Sequence, residues 1–252
     1  MEEILIGLGL GLFTGFISGL VGVGGGTIII PILVLGLGYS QHEAQGTALM
    51  AFAFPIFAAA AWNYYRFGRV RWRLALSVAA ALAITSYFSA QWVQNIDSQQ
   101  LKRIFSVFLI LTAGYVFWKS LHPIQANPTP LSPKREISVG LIIGGITGII
   151  KGLTGLGGGV IMVPLLLLLA KTDQHTAQGT SLLTMTLPVA FTAALPYWQQ
   201  GHVHWMMVWG LVGGVLGGSF LSSKWAQRLK GPLLAQIFAI TIGIMGIGLL
   251  LR

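Results

Sequence analysis

The sequence GVGGGTIIIP at residues 22–31 returns 133 positions later as GLGGGVIMVP at residues 155–164. The same offset aligns the flanking sequence without a gap. It matches the pattern His-x-Ala-Gln-Gly-Thr at residues 42–47 with the same pattern at residues 175–180. Self-similarity at one fixed offset indicates an internal duplication. The glycine clusters are therefore equivalent positions of two homologous repeats.

The duplication predicts how the chain is organised. Residues 1–121 form a first transmembrane repeat and residues 137–252 a second. Residues 122–136 between them are polar and rich in proline, which favours a linker on the cytoplasmic side of the membrane.

The composition excludes a water-soluble protein. Hydrophobic residues make up 54% of the chain and charged residues only 8%, and the mean hydropathy is +0.77. Charged residues are about a quarter of an ordinary globular domain. The formal net charge of +9 comes from cations that stand singly or in small clusters between apolar segments, so we expect lipid as a partner and no nucleic acid. The sequence predicts an all-α integral membrane protein.

The apolar segments predict about five helical segments in each repeat. A spanning helix needs about 20 residues, and the segment after each glycine cluster is too short. Each repeat thus contains a helix pair interrupted by glycine. Two acids precede the first segment, which favours a mature helix over a signal peptide. The predicted segments are 4–21, 27–37, 44–65, 72–93 and 101–121, and then 139–154, 160–169, 177–198, 205–221 and 233–251.

Lysine and arginine accumulate in cytoplasmic loops and can therefore orient the repeats. If the repeats are inverted, 11 of the 15 cations lie on one side and three on the other; parallel repeats give at best eight against six. The sequence GRVRW at residues 68–72 also becomes GHVHW at residues 201–205, where an inverted copy faces outside. We therefore predict inverted repeats, although drift between the copies would also explain this exchange.

Glycines recur every fourth residue in the first helix of each repeat. Such stripes are typical of close helix packing. The stripes are Gly7, Gly11, Gly15 and Gly19, and Gly140, Gly144, Gly148 and Gly152.

The adjacent glycines of each cluster predict a break in the helix at membrane depth. A helix that restarts there presents unpaired N–H groups and the positive end of its dipole. Two such helix ends that meet would bind an anion; the alternative is a tight, buried turn. The candidate residues are Gly24, Gly25, Gly26 and Thr27, with Gly157, Gly158 and Gly159.

Lys151 lies inside an apolar segment, four residues before the second cluster. A cation at that depth is costly, so a role in binding the anionic group of a substrate is the default interpretation. The alternative is a lysine that extends to the membrane surface. Its counterpart is Ser18, which makes the predicted site asymmetric.

Amide and hydroxyl side chains lie near the predicted starts of two long helices. They could bind a substrate or cap the helices, and the sequence leaves both roles open. These residues are Gln45, Thr47, Gln178 and Thr180. His42 and His175 lie just before them and could bind, sense pH or cap.

The residues that are absent limit the chemistry. The chain has no cysteine and no carboxylate in the middle of an apolar segment. We expect no metal, no cofactor and no enzymatic activity, because no nucleophile with a base and an orienting acid can be assembled. Coupling through a buried acid is disfavoured, whereas coupling through histidine or lysine stays open.

The doubled pattern Gly-x-Gly-Gly-Gly-x4-Pro, with Ala-x-Gly-Thr at Ala44 and Ala177, resembles the TauE/SafE family of sulfite exporters. The resemblance implies a multi-pass permease of a bacterial inner membrane. It also implies export of small sulfur-containing anions such as sulfite or organosulfonates. Alternating access at the two broken helices is the expected mechanism. An anion channel, a uniporter for another small carboxylate or inorganic anion, a structural subunit and a homodimeric assembly stay open.

Overall fold

The chain folds into helices, and its computed structural model describes residues 1–21, 25–121, 131–156, 158–225 and 231–251. These described residues contain twelve α-helices and no strand. The helices are α1 (Glu2–Val21), α2 (Gly26–Leu37), α3 (Gln41–Ala53), α4 (Ala58–Arg66), α5 (Trp72–Val93), α6 (Ser98–Leu121), α7 (Pro133–Thr154), α8 (Gly159–Leu168), α9 (Gln174–Thr186), α10 (Val189–Gln199), α11 (Trp205–Trp225) and α12 (Gly231–Leu251). The prediction of an all-helical protein is confirmed.

Several helices are suited to cross a membrane. Four helices of the described chain are long and apolar enough, namely most or all of α5, α6, α7 and α11. The pair α9 and α10 adds a fifth span if the two bent helices are counted together. Many large apolar side chains on these helices, such as Phe88 and Leu111, are exposed, as expected for surfaces that face lipid.

The prediction of five helical segments in each half is wrong, because each third segment consists of two helices. The break between α3 and α4 follows Phe54, and the break between α9 and α10 follows Leu187. Both residues precede a proline and have extended backbone, with ψ of 150° and 151°. Proline has no N–H to donate and its ring disfavours helical backbone in the preceding residue. Helices α9 and α10 accordingly meet at a 45° bend.

The boundary of the predicted linker also differs. Residues 122–130 lie outside the described residues. Helix α7 begins at Pro133, so the last four linker residues are helical. Proline suits the first helical position, since the N–H it lacks would have no partner inside the helix.

The first helix of each half packs against the fifth helix of the other half. A methyl group added to Gly11 would lie 2.7 Å from the Leu211 carbonyl oxygen, and one added to Gly15 would lie 2.7 Å from that of Val215. Gly144 likewise faces the Val78 carbonyl. The contacts advance in the same direction along both helices, so α1 is parallel to α11 and α5 is parallel to α7. Only glycine permits so close an approach of two backbones.

Helices α6 and α12 run in opposite directions. A methyl group on Gly243 would lie 3.4 Å from the Cβ of Ala113, and one on Gly246 would lie 3.2 Å from the Ser106 carbonyl oxygen. Residue numbers therefore rise along one helix as they fall along the other. The contact is antiparallel.

The two ends of α5 carry different side chains. At its first end, Arg71 pairs with Glu136 at 3.4 Å and Arg69 with Asp173 at 3.5 Å. We call this the arginine end. Its last residue, Val93, and the following Gln94 contact histidines from α3 and from the loop between α10 and α11. This histidine end lies about 33 Å from the arginine end, because a helix rises 1.5 Å per residue.

We predict that Gly11→Ala destabilises the protein. The added methyl group would overlap the α11 backbone, and such overpacking costs about 1–3 kcal/mol. The matched control is Gly9→Ala on the same helix, where nothing lies within 4 Å, so its effect should stay within about 0.5 kcal/mol. Unfolding of the detergent-purified variants measures both values. Equal effects of the two variants would contradict the described contact.

Candidate functional site

The two glycine breaks lie in contact with each other. A methyl group added to Gly26 would lie 3.3 Å from the Cα of Leu156 and 3.4 Å from the Gly155 carbonyl oxygen. Gly25 and Gly26 begin α2, and residues 155–158 connect α7 to α8. The structure therefore brings together both regions that the sequence selects, in a buried part of the molecule.

The second break depends on backbone conformations that favour glycine. Gly155 ends α7 with φ of 68°, and Gly158 precedes α8 with φ of 73°. Both values lie in the left-handed region, which other residues rarely adopt. Of the other predicted residues, Thr27 and Gly159 are buried at the starts of α2 and α8. Gly24 and Gly157 lie outside the described residues.

Lys151 is buried in the last turn of α7, with 2% of its surface exposed. The ion pairs found among the described residues do not include it. Thr147 lies one turn earlier on the same face, and its buried hydroxyl has no hydrogen-bond partner among the described residues. A methyl group on Gly158 would lie 3.5 Å from the Thr147 side chain, so this face adjoins the start of α8.

Gln45 and Tyr197 form a buried contact between the two halves. The Tyr197 hydroxyl lies 2.8 Å from Gln45 Oε1 and 3.0 Å from the Gly152 carbonyl oxygen, and its one proton is shared between these two acceptors. Gln45 Nε2 donates to the Leu153 carbonyl at 3.4 Å. Gln45 and Tyr197 are fully buried. Together they bind the helical turn that follows Lys151.

An equivalent contact joins α9 to α4. Tyr64 donates to Gln178 Oε1 at 3.1 Å. Thr47 and Thr180, each two residues after one of these glutamines, also accept hydrogen bonds across the halves: Thr47 from the His204 N–H at 3.1 Å and Thr180 from the Arg71 N–H at 3.2 Å. In this conformation the hydrogen bonds found for all four predicted polar residues are internal.

Neither Gln45 nor Gln178 caps its helix. Ser40 caps α3, where its side chain and that of Glu43 bond to each other's backbone N–H groups. Asp173 caps α9 and accepts from Thr176. Burial acts to raise the pKa of Asp173, but the hydrogen bonds from Thr176 and the nearby Arg69 outweigh it and lower that pKa. The capping alternative is therefore wrong for the two glutamines.

Comparison with known proteins places the chain in a family. The family described as "Sulfite exporter TauE/SafE" matches residues 7–249. The chain belongs to the TauE/SafE family.

Similar proteins in this family include the probable membrane transporter protein YdhB of Bacillus subtilis, which is 26% identical over 94% of this chain and 96% of its own. A probable membrane transporter protein of Methanocaldococcus jannaschii is 29% identical over 99% of this chain and 97% of its own. No solved structure matches the chain. Membership confirms the resemblance seen in the motifs and, together with the apolar helices, indicates a multi-pass membrane protein of a transporter family.

Sequence reasoning missed two residues of this candidate site. Tyr197 was not selected, although it lies in the same long segment as Gln178 and its counterpart is Tyr64. Thr147 was also missed, and its only signal was a hydroxyl four residues before Lys151. In both cases the role depends on which helices meet, which the pattern of one chain does not give.

A metal site is not formed by the residues that the structure describes. No group of three or more histidine, aspartate or glutamate side chains there is arranged to hold a metal ion. The chemistry available to this family member at the glycine breaks is an ammonium group, hydroxyl groups and backbone N–H groups. All three kinds of group can donate hydrogen bonds, and an anion is bound by such donors.

We predict that Tyr197→Phe destabilises this TauE/SafE protein by about 1–3 kcal/mol. The change leaves Gln45 Oε1 buried without a donor, and an unsatisfied buried acceptor costs about that much. Tyr64→Phe is the matched control and should cost less, because Tyr64 is more exposed and donates to Gln178 alone among the described residues. Unfolding in detergent gives both values, and a larger loss for Tyr64→Phe would refute the assignment.

Proposed function

We propose that this TauE/SafE protein is a secondary transporter that exports small sulfur-containing anions by alternating access. Its substrate site lies where the two broken helices meet, near the middle of the membrane. The observation that carries the proposal is Lys151, a buried cation beside a helix break. A buried lysine that has no carboxylate partner in the described structure is suited to a passing anion.

The chemistry around Lys151 supports an anion as the substrate. The first N–H groups of α8 have no partner within the helix and lie at the positive end of its dipole. Thr147 adds a hydroxyl donor without a partner among the described residues. An ammonium group, a hydroxyl and backbone N–H groups would together surround the three oxygens of a sulfonate or sulfite. The family description adds the sulfur class, which the geometry alone does not specify.

Two observations support inverted repeats. The helices α6 and α12 are equivalent under the offset of 133 residues and are antiparallel, as expected for a two-fold axis in the membrane plane. The loop that carries Arg69 and the equivalent loop that carries His202 lie at opposite ends of α5. Parallel repeats would place both loops at the same end.

The basic loops support an orientation in the membrane. Arginine and lysine concentrate at the arginine end, which we assign to the cytoplasm of a bacterial cell with the protein in its inner membrane. The ion pairs of Arg69 and Arg71 hold the loop after α4 against the loop before α9 and the start of α7. The charge pattern assigns these two loops and the start of α7 to the cytoplasmic side, and the ion pairs bring them together.

The helix contacts indicate which bodies move during alternating access. Helix α1 is bound closely to α11, and α5 to α7, and each pair contains one helix from each half. The sequence halves therefore cannot separate as rigid bodies without losing these contacts. We propose that each mixed pair moves as a unit, with the glycine breaks at the boundary between moving parts.

We predict that a sulfur-containing anion stabilises the purified protein and that Lys151→Met removes this effect. A ligand present at 100 times its dissociation constant stabilises the folded state by about 2.7 kcal/mol. Loss of a charged hydrogen bond should weaken binding about tenfold or more. The measurement is thermal unfolding with sulfite, thiosulfate, sulfoacetate or isethionate, and with acetate for comparison. Methionine keeps the volume of lysine without its charge.

The matched control is Lys134→Met, which removes an exposed lysine from the first turn of the same helix. It should leave the anion effect unchanged. An anion effect that survives in Lys151→Met would exclude Lys151 as the contact. Stabilisation by acetate alone would favour a carboxylate transporter, and no stabilisation by any anion would count against the proposal.

A further inference from the structure

Two histidines from different halves lie against each other at the histidine end. The ring centroids of His42 and His202 are 5.2 Å apart and the rings are inclined by 32°. His42 is the second residue of α3 and is 6% exposed, and His202 lies in the loop before α11. The sequence selects His42 only as an isolated candidate, so the pair is a result of the fold.

Each histidine already uses one ring nitrogen. His42 Nε2 lies 3.2 Å from the Val93 carbonyl oxygen, and His202 Nδ1 lies 3.2 Å from Gln94 Oε1. Both partners are oxygens, so these nitrogens donate. The second nitrogen of each neutral ring is an acceptor and can take up a proton without breaking either bond. The pair binds a second proton more weakly than the first, because two charged rings at this distance repel each other.

The Glu43 carboxylate beside the two histidines already has other partners. A proton bound by the histidines therefore has no carboxylate of its own among the described residues. Glu43 on α3 accepts from the Ser40 N–H at 2.8 Å and pairs with His204 at 3.3 Å. The other titratable groups on the adjoining elements are Tyr39, stacked on His204 at 4.3 Å, Tyr197 on α10, Glu3 on α1, and Asp97, Lys102 and Arg103 around the start of α6. Burial lowers the pKa of His202, and His42 lowers it further, while Glu43 raises it.

Side chains connect this pair to the turn that bears Lys151. His42 lies three residues before Gln45 on α3, and its ring is 6.3 Å from that of Tyr197. Gln45 and Tyr197 hold the carbonyls of Gly152 and Leu153, directly after Lys151. A change of charge or position at the histidines therefore reaches the proposed anion site through two side chains.

The arginine end has no equivalent pair of histidines among the described residues. The residues equivalent to His202 and His204 are Arg69 and Arg71, which stay charged and pair with their own carboxylates. The histidine end carries imidazoles in place of these guanidinium groups, and an imidazole can gain or lose a proton where a guanidinium cannot. The exchange of GRVRW for GHVHW thus makes one end of the pathway sensitive to protons.

We infer that His42 and His202 form a binding site for one proton, and that this proton crosses the membrane together with the transported anion. The inference rests on the proposed transport function. A proton on the pair adds positive charge on the anion's route, so proton and anion each raise the affinity for the other. One proton moving with one monovalent anion carries no net charge, so export by this route requires an outward anion gradient that exceeds the inward proton gradient.

The test uses the full-length protein in sealed lipid vesicles, with isethionate as a sulfonate that has no group titrating near neutral pH. A pH-sensitive dye inside the vesicles reports protons, and labelled isethionate reports exchange. We expect an inward gradient of one pH unit to accumulate isethionate about tenfold, since one pH unit is a tenfold ratio of protons. The variants are His42→Gln and His202→Asn, which keep the hydrogen bonds to Val93 and Gln94.

In both variants we expect isethionate exchange to continue while proton movement and accumulation are lost. His175→Gln is the matched control, because His175 is the counterpart of His42, is exposed and should leave coupling intact. Accumulation that persists in His42→Gln and His202→Asn, or isethionate transport without proton movement in the wild type, would overturn the inference and leave the proposed transport standing. Absence of exchange for isethionate, sulfite and carboxylates in the wild type would overturn both.

A second measurement does not depend on transport. Nitrogen NMR of labelled histidine follows the protonation of His202 in detergent. In His42→Gln, His202 should become protonated at higher pH than in the wild type, because its neighbour no longer competes for the proton. An unchanged titration of His202 would mean that the two rings bind protons independently, and the shared site would be excluded.

Discussion

Direct backbone contact along glycine stripes is the constraint on which the rest of the structure depends. Within a bilayer, apolar side chains gain little by leaving lipid, so helices associate through close fit. Gly11 and Gly144 provide that fit where α1 meets α11 and α5 meets α7. Because each contact joins helices of different halves, neither half can form its core alone. The interleaving of the halves brings the two glycine breaks into contact.

The same interleaving explains why the polar side chains at the helix starts lie between the halves. Gly46 faces the His202 carbonyl and Gly179 the Arg69 carbonyl, so the loop before the fifth helix of one half lies against the third helix of the other. Thr47 and Thr180 then accept the N–H groups of these loops. In each motif the glycine allows the helix and the loop to approach closely, and the threonine accepts a hydrogen bond from the loop. The same arrangement occurs at both ends of the molecule. The motif Gln-Gly-Thr is a docking element for the opposite half.

The sequence predicted the features that depend on local pattern and missed those that depend on contacts. Helix content, the glycine breaks and the burial of Lys151 follow from apolar runs, adjacent glycines and the cost of a charge in lipid. The breaks after Phe54 and Leu187 were also readable from the following prolines, yet the continuous apolar run concealed them. The partnership of Tyr197 with Gln45 could not be predicted, because 152 residues separate them and no local pattern specifies long-range neighbours.

The two halves differ at positions where a transporter would have to distinguish the two sides of the membrane. Two identical inverted halves would present the same surface to both sides of the membrane and would give the two directions of transport equal rates under equal conditions. Lys151, whose counterpart is Ser18, places a lysine at one break only, and His202 and His204 stand at one end where Arg69 and Arg71 stand at the other. Both exchanges leave the glycine contacts intact, so they alter electrostatics without altering the fold. In the proposed transporter, the two similar halves would supply the pathway, and a small number of unmatched cations would distinguish its two ends.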